Sequence, residues 1–170
     1  REEVARVVRS KSKLAVLLLT TVIEWFTQLH YVEHVQDSSD LDGLFRDLLR
    51  YHWMEESQHA KLDTLLIGET AEGMTLEERE AAMDEVIELG GAIDGLLSQQ
   101  IALNIDSLEA ATGRTFTAAE KEEITANTQR AWRWIFLVSG LSHPNVVKVV
   151  SEITNEGVGK VTAVIEALSV

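Results

Sequence analysis

Apolar residues recur every three or four positions along most of this chain, and the interruptions divide it into six helical segments. The first spans residues 2–35. Its middle, Leu14 to Phe26, is apolar nearly all round, as in a helix buried by neighbours on several sides. Gln36 to Asp40 is a polar turn, and Ser38, Ser39 or Asp40 can cap the next helix, residues 40–67. Gly68 to Met74 reads as a loop. Thr75 with Glu78 is a capping box: the threonine hydroxyl accepts from one free N–H of the first turn, and the glutamate reaches back to another. It opens a helix over residues 76–112 in which Gly90-Gly91 is a weak point, where a kink is expected. Thr117 with Glu120 repeats the box and launches residues 117–141. That helix stops near His143-Pro144, because the residue before proline is pushed out of the α region. Two shorter segments follow, residues 145–154 and 158–168, on either side of Asn155-Glu156-Gly157.

Four long helices joined by short turns predict an all-α fold. It is one domain over residues 1–170, an up-down four-helix bundle with two short C-terminal helices packed across it or against another subunit. At 170 residues the chain is long enough to bury a sizeable core. The formal net charge of −13 argues against nucleic acid or an anionic membrane as a partner and is compatible with attracting cations. The absence of cysteine excludes disulfides and thiolate metal sites. The apolar run from Leu14 to Ile23 is too short to span a bilayer and follows no signal-like N-terminus, so a cytoplasmic protein is expected. The chain starts at Arg1 without a methionine, which leaves room for residues before it.

Polar residues on apolar stripes carry the chemistry. In the second helix, His52, Glu55, Glu56 and His59 fall within roughly a third of the helix circumference, on an arc that also holds Leu41, Leu44, Leu48, Leu62 and Leu66. Four ionisable groups facing a core are costly unless compensated, and a bound metal compensates this mixture well. Glu24 interrupts the apolar middle of the first helix, with Thr21, Gln28 and Tyr31 one or two turns away. On the third helix Asp94, Gln100 and Asn104 enter the stripe of Met83, Ile87, Ile93, Leu97, Ile101 and Leu108. Carboxylate and imidazole ligands without sulfur favour iron or manganese over copper(I), with zinc as a contaminant. The metal-free alternative is a polar network in which His52 and His59 bond to Glu24 and Glu56. Glu55 reads as a neighbour of the ligands or a surface group, His30, Glu33 and His34 as a surface cluster, and His143 as a helix-end residue.

Glu24 and Tyr31 followed by Glu56-x-x-His59 resemble the first half of the site of the ferritin-like superfamily of di-iron carboxylate proteins. The text from Leu14 to Ile67, with His52-Trp53-x-Glu55-Glu56-Ser57-Gln58-His59-Ala60, looks like bacterial ferritin-like proteins of unassigned activity. The resemblance implies iron, as one or two ions, in an oxidoreductase acting with dioxygen or peroxide. Glu56 would bridge, Glu24 and His59 would be terminal ligands, and Tyr31 would be a hydrogen-bonding neighbour, an electron donor or simply a core tyrosine. The second half departs from the family pattern, because the fourth helix has no Glu-x-x-His. Three completions remain. Asp94 joins with His52 or Glu55 in a non-standard two-metal site; Glu24, Glu56 and His59 hold a single ion; or two chains pair their half-sites in a homodimer. A non-catalytic bundle, either an iron-handling protein or a relative without metal, is the competing class. Nothing in the sequence describes the small-molecule substrate.

Overall fold

The computed structural model of the chain describes residues 2–169, the side chain of residue 3 excepted. Ser12 decides how it begins. Its backbone is extended (φ −62°, ψ 153°), its hydroxyl accepts from Ala15 N at 3.2 Å, and its own N–H donates to Glu85 at 2.8 Å. The expected first helix is therefore two: α1, Glu2–Arg9, and α2, Lys13–His30, which continues as a π turn over Tyr31–Val35. Asp42 caps α3, Gly43–Glu72, by accepting from Leu44 N and Phe45 N. This helix runs through the stretch expected to be a loop, and in doing so carries Ala71 into the core.

Both capping boxes form. Thr75 starts α4, Leu76–Thr112, which continues unbroken through Gly90-Gly91 and ends at Gly113 in the left-handed conformation (φ 67°) that glycine tolerates best. Thr117 starts α5, Ala118–Arg133, extended by a π turn over Trp134–Val138 and a last turn, Ser139–Leu141. Pro144 opens α6, Pro144–Ile153, and α7 is Gly157–Leu168. The described residues are all-helical, without a strand.

The main core lies where the start of α2, the end of α3, the start of α4, α6 and α7 meet. Leu14, Leu18 and Val22 pack there with Ile67, Ala71, Met83, Val86, Val146, Val150 and Val161. Each fully buried aliphatic side chain contributes about 1.5–3 kcal/mol. Gly140 lets the end of α5 lie directly on α2: a Cβ there would sit 2.3 Å from the Val22 carbonyl oxygen. By length and composition alone, the 23 residues Lys13–Val35 would reach across a membrane, further than the short run read from the sequence. In this fold Leu14, Leu18 and Val22 of that segment are spent in the protein's own core.

α2 and α3 run antiparallel, since Gln28 donates to the Trp53 carbonyl while Glu24, one turn earlier on α2, meets Glu56, one turn later on α3. α4 and α5 form a second antiparallel pair, tied by Asp94–Arg133, Ser98–Gln129 and Glu109–Lys121. The leucine arc of α3 does not face inward. Leu44 is 81% exposed and Leu48 62% exposed, and Leu62 is exposed as well. The inward stripe is Arg46, Leu49, Trp53, Glu56, Ala60, Asp63 and Ile67, spaced by threes and fours. Packing against α2 selected that stripe; leucine content did not.

Candidate metal centre

Glu24 stands on α2 five positions beyond Leu19 and faces α3, where Glu56 and His59 lie one turn apart on one face. One ligand atom from each of the three side chains falls within 4.8 Å of the other two. Glu56 is the hub. Its Oε1 is 2.9 Å from His52 Nε2, and its Oε2 is 2.8 Å from His59 Nδ1. Its side chain is only 16% exposed, whereas His52 and His59 are about half exposed, at 52% and 50%. The group therefore sits at the boundary between the α2–α3 contact and the open outer side of α3.

The electrostatics follow from that placement. Burial and a hydrogen bond to Glu56, with its adjacent negative charge, raise Glu24 from 4.5 to about 7; His59 opposes the rise and Asp63 adds to it. The same hydrogen bond, together with His59 and His52, holds Glu56 below the ordinary carboxylate range. Donating a hydrogen bond to Glu56 in turn raises His59 above 6.5. With Glu24 raised to about 7 and Glu56 lowered, the proton that the pair retains on the acid side of neutrality belongs to Glu24. Such a pair next to imidazole can take up a divalent cation in the proton's place, and the donor set of two carboxylates and a nitrogen suits iron or manganese.

The other expected residues are placed as follows. His52 touches the group through Glu56. Glu55 is exposed, and its charge helps raise His59. Tyr31 is buried and stacks, with centroids 5.0 Å apart, on Trp53, which lies one turn before Glu56 on α3. Asp94 is elsewhere: Arg133 Nε and an Arg133 terminal nitrogen each donate to one of its oxygens at 2.8 Å. A carboxylate held in this two-pronged way is already compensated, and Asp94 leaves the candidate ligand set. Gln100 bonds to Asn104 on the same helix. His143 stacks on Trp25 at 4.3 Å and caps α6 by accepting from Asn145 N. His30 and His34 lie 5.6 Å apart at the π turn.

Sequence reasoning missed Asp63 and Arg133. Asp63 was findable, being seven positions beyond Glu56 on the inward stripe. The pairing of Arg133 with Asp94 spans 39 residues and leaves no local signal. No protein-family model, no curated protein and no solved structure matches the chain.

Proposed function

We propose that the chain is a ferritin-like helical protein that binds a divalent transition metal, iron first and manganese second, through Glu24, Glu56 and His59, with His52 beside them. The observation that carries this reading is the convergence of two carboxylates and an imidazole, from two antiparallel helices, within 4.8 Å of one another. A bound iron ion would supply one-electron chemistry towards dioxygen or peroxide. The chain's own contribution is to hold the dyad at the edge of the core, to orient Glu56 between two imidazoles, and to yield the Glu24 proton when a cation enters. Trp53, one turn before Glu56, is held in place by stacking on Tyr31.

A homodimer belongs to the same reading. Leu44, Leu48, Tyr51 and Leu65 are 62–81% exposed on α3, on either side of the half-exposed histidines, and large apolar side chains left open in this number favour a covering partner. A second copy on this face would shield the group from bulk water and add ligands to it.

The second reading is a metal-free protein in which His52 and His59 simply neutralise Glu56. The two short imidazole contacts to that one carboxylate favour it. Metal analysis of protein purified without added metal, beside Glu56→Ala and His59→Ala, separates the two. The metal reading expects near-stoichiometric metal, lost in both variants; trace metal unchanged by the substitutions establishes the metal-free network. An absorbance change on mixing ferrous protein with oxygen then distinguishes redox chemistry from a purely structural ion.

A further inference from the structure

The side of α2 opposite Glu24 borders a cavity of about 180 Å³. Leu19 and Val22 of α2, Ile87 and Gly90 of α4, Leu137 of α5 and Val164 of α7 are among its walls. At 100° per residue, Val22 and Glu24 point roughly 200° apart, so this cavity and the metal group lie on opposite sides of the helix. The floor is deeply buried: Val22, Leu137 and Val161 are 3%, 2% and 4% exposed. Gly91 and Ala167, both exposed, mark its mouth between α4 and α7.

Two features set this void apart from a packing defect. The first is its form, an apolar recess with a deeply buried floor and a mouth open between two helices, so that a ligand can enter. The second is that the chain declines to fill it. Gly90 and Gly91 stand in the middle of a 37-residue helix, where glycine is a poorer helix former than alanine. A Cβ at either position would meet nothing within 4 Å, so no neighbour in this fold requires a glycine there. Any other side chain except proline would strengthen the helix, yet glycine stands at both positions bordering the space. At the polar end, the Asp94 carboxylate is fully engaged by Arg133, which leaves neither an uncompensated cation nor an uncompensated anion facing the space.

We propose that this cavity is a binding site for a neutral, apolar small molecule of single-ring or short-alkyl size. The size follows by comparison: an apolar protein cavity of about 150 Å³ stays dry and takes up benzene. The walls offer dispersion contacts and burial of apolar surface, and the neutralised Asp94–Arg133 pair selects against charged ligands. The site is independent of the metal reading and stands whether or not Glu24, Glu56 and His59 hold an ion.

The test uses toluene as the probe on the full chain. Thermal denaturation should show the melting temperature rising by about 3–5 °C at ten times the dissociation constant. Methyl NMR should show the largest shifts at Leu19, Val22, Leu137 and Val164. Gly90→Leu, which fills the space, should abolish the toluene response without lowering the melting temperature of the free protein. Val164→Met fills it from the opposite wall and serves as the second variant should the first not fold. Benzoate and benzylamine, the charged counterparts, should bind at least tenfold more weakly. A melting temperature unmoved by saturating toluene, methyl shifts centred elsewhere, or a full response retained in the filled variants would overturn the proposal.

Discussion

The carboxylate dyad makes a prediction about protons. Glu24 is raised from 4.5 to about 7, chiefly by burial and by its bond to Glu56. A cation that replaces the Glu24 proton must release it, so metal affinity rises with pH until Glu24 is ionised without help. With a value near 7, Glu24 is about 0.9 protonated at pH 6 and about 0.1 at pH 8, and affinity should fall close to tenfold per pH step below 7 on its account alone. His59, raised by Glu56, also has to lose a proton and steepens the dependence in acid. Stability without metal follows the same groups. A carboxyl raised in the folded state favours folding while it is protonated, and that advantage disappears as pH rises from 4.5 to about 7. The raised imidazole acts in the same direction, with its advantage present below 6.5 and lost as pH climbs through its folded value. Glu56, lowered, acts the other way, and its contribution is complete above 4.5. The Glu24 displacement sets a ceiling of about 3 kcal/mol, reduced to about 1 by solvent at a half-buried side chain. Ferrous or manganous titrations in weakly buffered solution from pH 5.5 to 8, with proton release read directly, measure the first effect; urea denaturation of metal-free protein at pH 5 and pH 8 measures the second. In Glu24→Gln the proton release should drop by about 0.9 at pH 6, and the pH dependence that remains should be the part set by His59. A parent slope set by His59 alone, with proton release and affinity unchanged in Glu24→Gln, would refute the dyad.

Three substitutions probe the frame around the site. Gly140→Ala gains up to about 1 kcal/mol of helix propensity but drives a Cβ to 2.3 Å from the Val22 carbonyl; the clash with backbone should win by about 1–3 kcal/mol and lower the melting temperature. Thr21→Val replaces a hydroxyl that is buried with no hydrogen-bond partner among the described residues, so stability should hold or rise by about 1 kcal/mol in denaturant titrations. Asp94→Ala leaves Arg133 half-buried and unpaired and should cost about 1–3 kcal/mol, while metal affinity stays within twofold of the parent.

The parts of the molecule written in local sequence were legible, and those fixed by distant packing were not. The helical content and the two Thr–Glu boxes need only neighbours within four residues, and both boxes form as read. The break at Ser12 was local too, but the apolar rhythm on either side of it masked a cap whose N–H is claimed by Glu85, 73 residues away. On α3 two stripes compete. The leucines mark one, while Trp53, Glu56, Ala60 and Ile67 mark the other, and it is the fit to α2 that turns the second inward. Glu24, Glu56 and His59 could be singled out because an acid in an apolar helix and a Glu-x-x-His pair are each conspicuous alone. Asp94 was equally conspicuous, but its explanation is an arginine on another helix.

The central claim rests on whether Glu24, Glu56 and His59 act together on one ion. The most direct measurement is isothermal titration of the metal-free protein with manganese, under the same buffer and pH, in the parent chain and in Glu24→Ala, Glu56→Ala and His59→Ala. A shared site predicts saturable binding in the parent, weakened at least tenfold by each single substitution and weakened further or lost in the double variant Glu56→Ala/His59→Ala. Absence of saturable binding in the parent, or binding that survives all three substitutions, would contradict it.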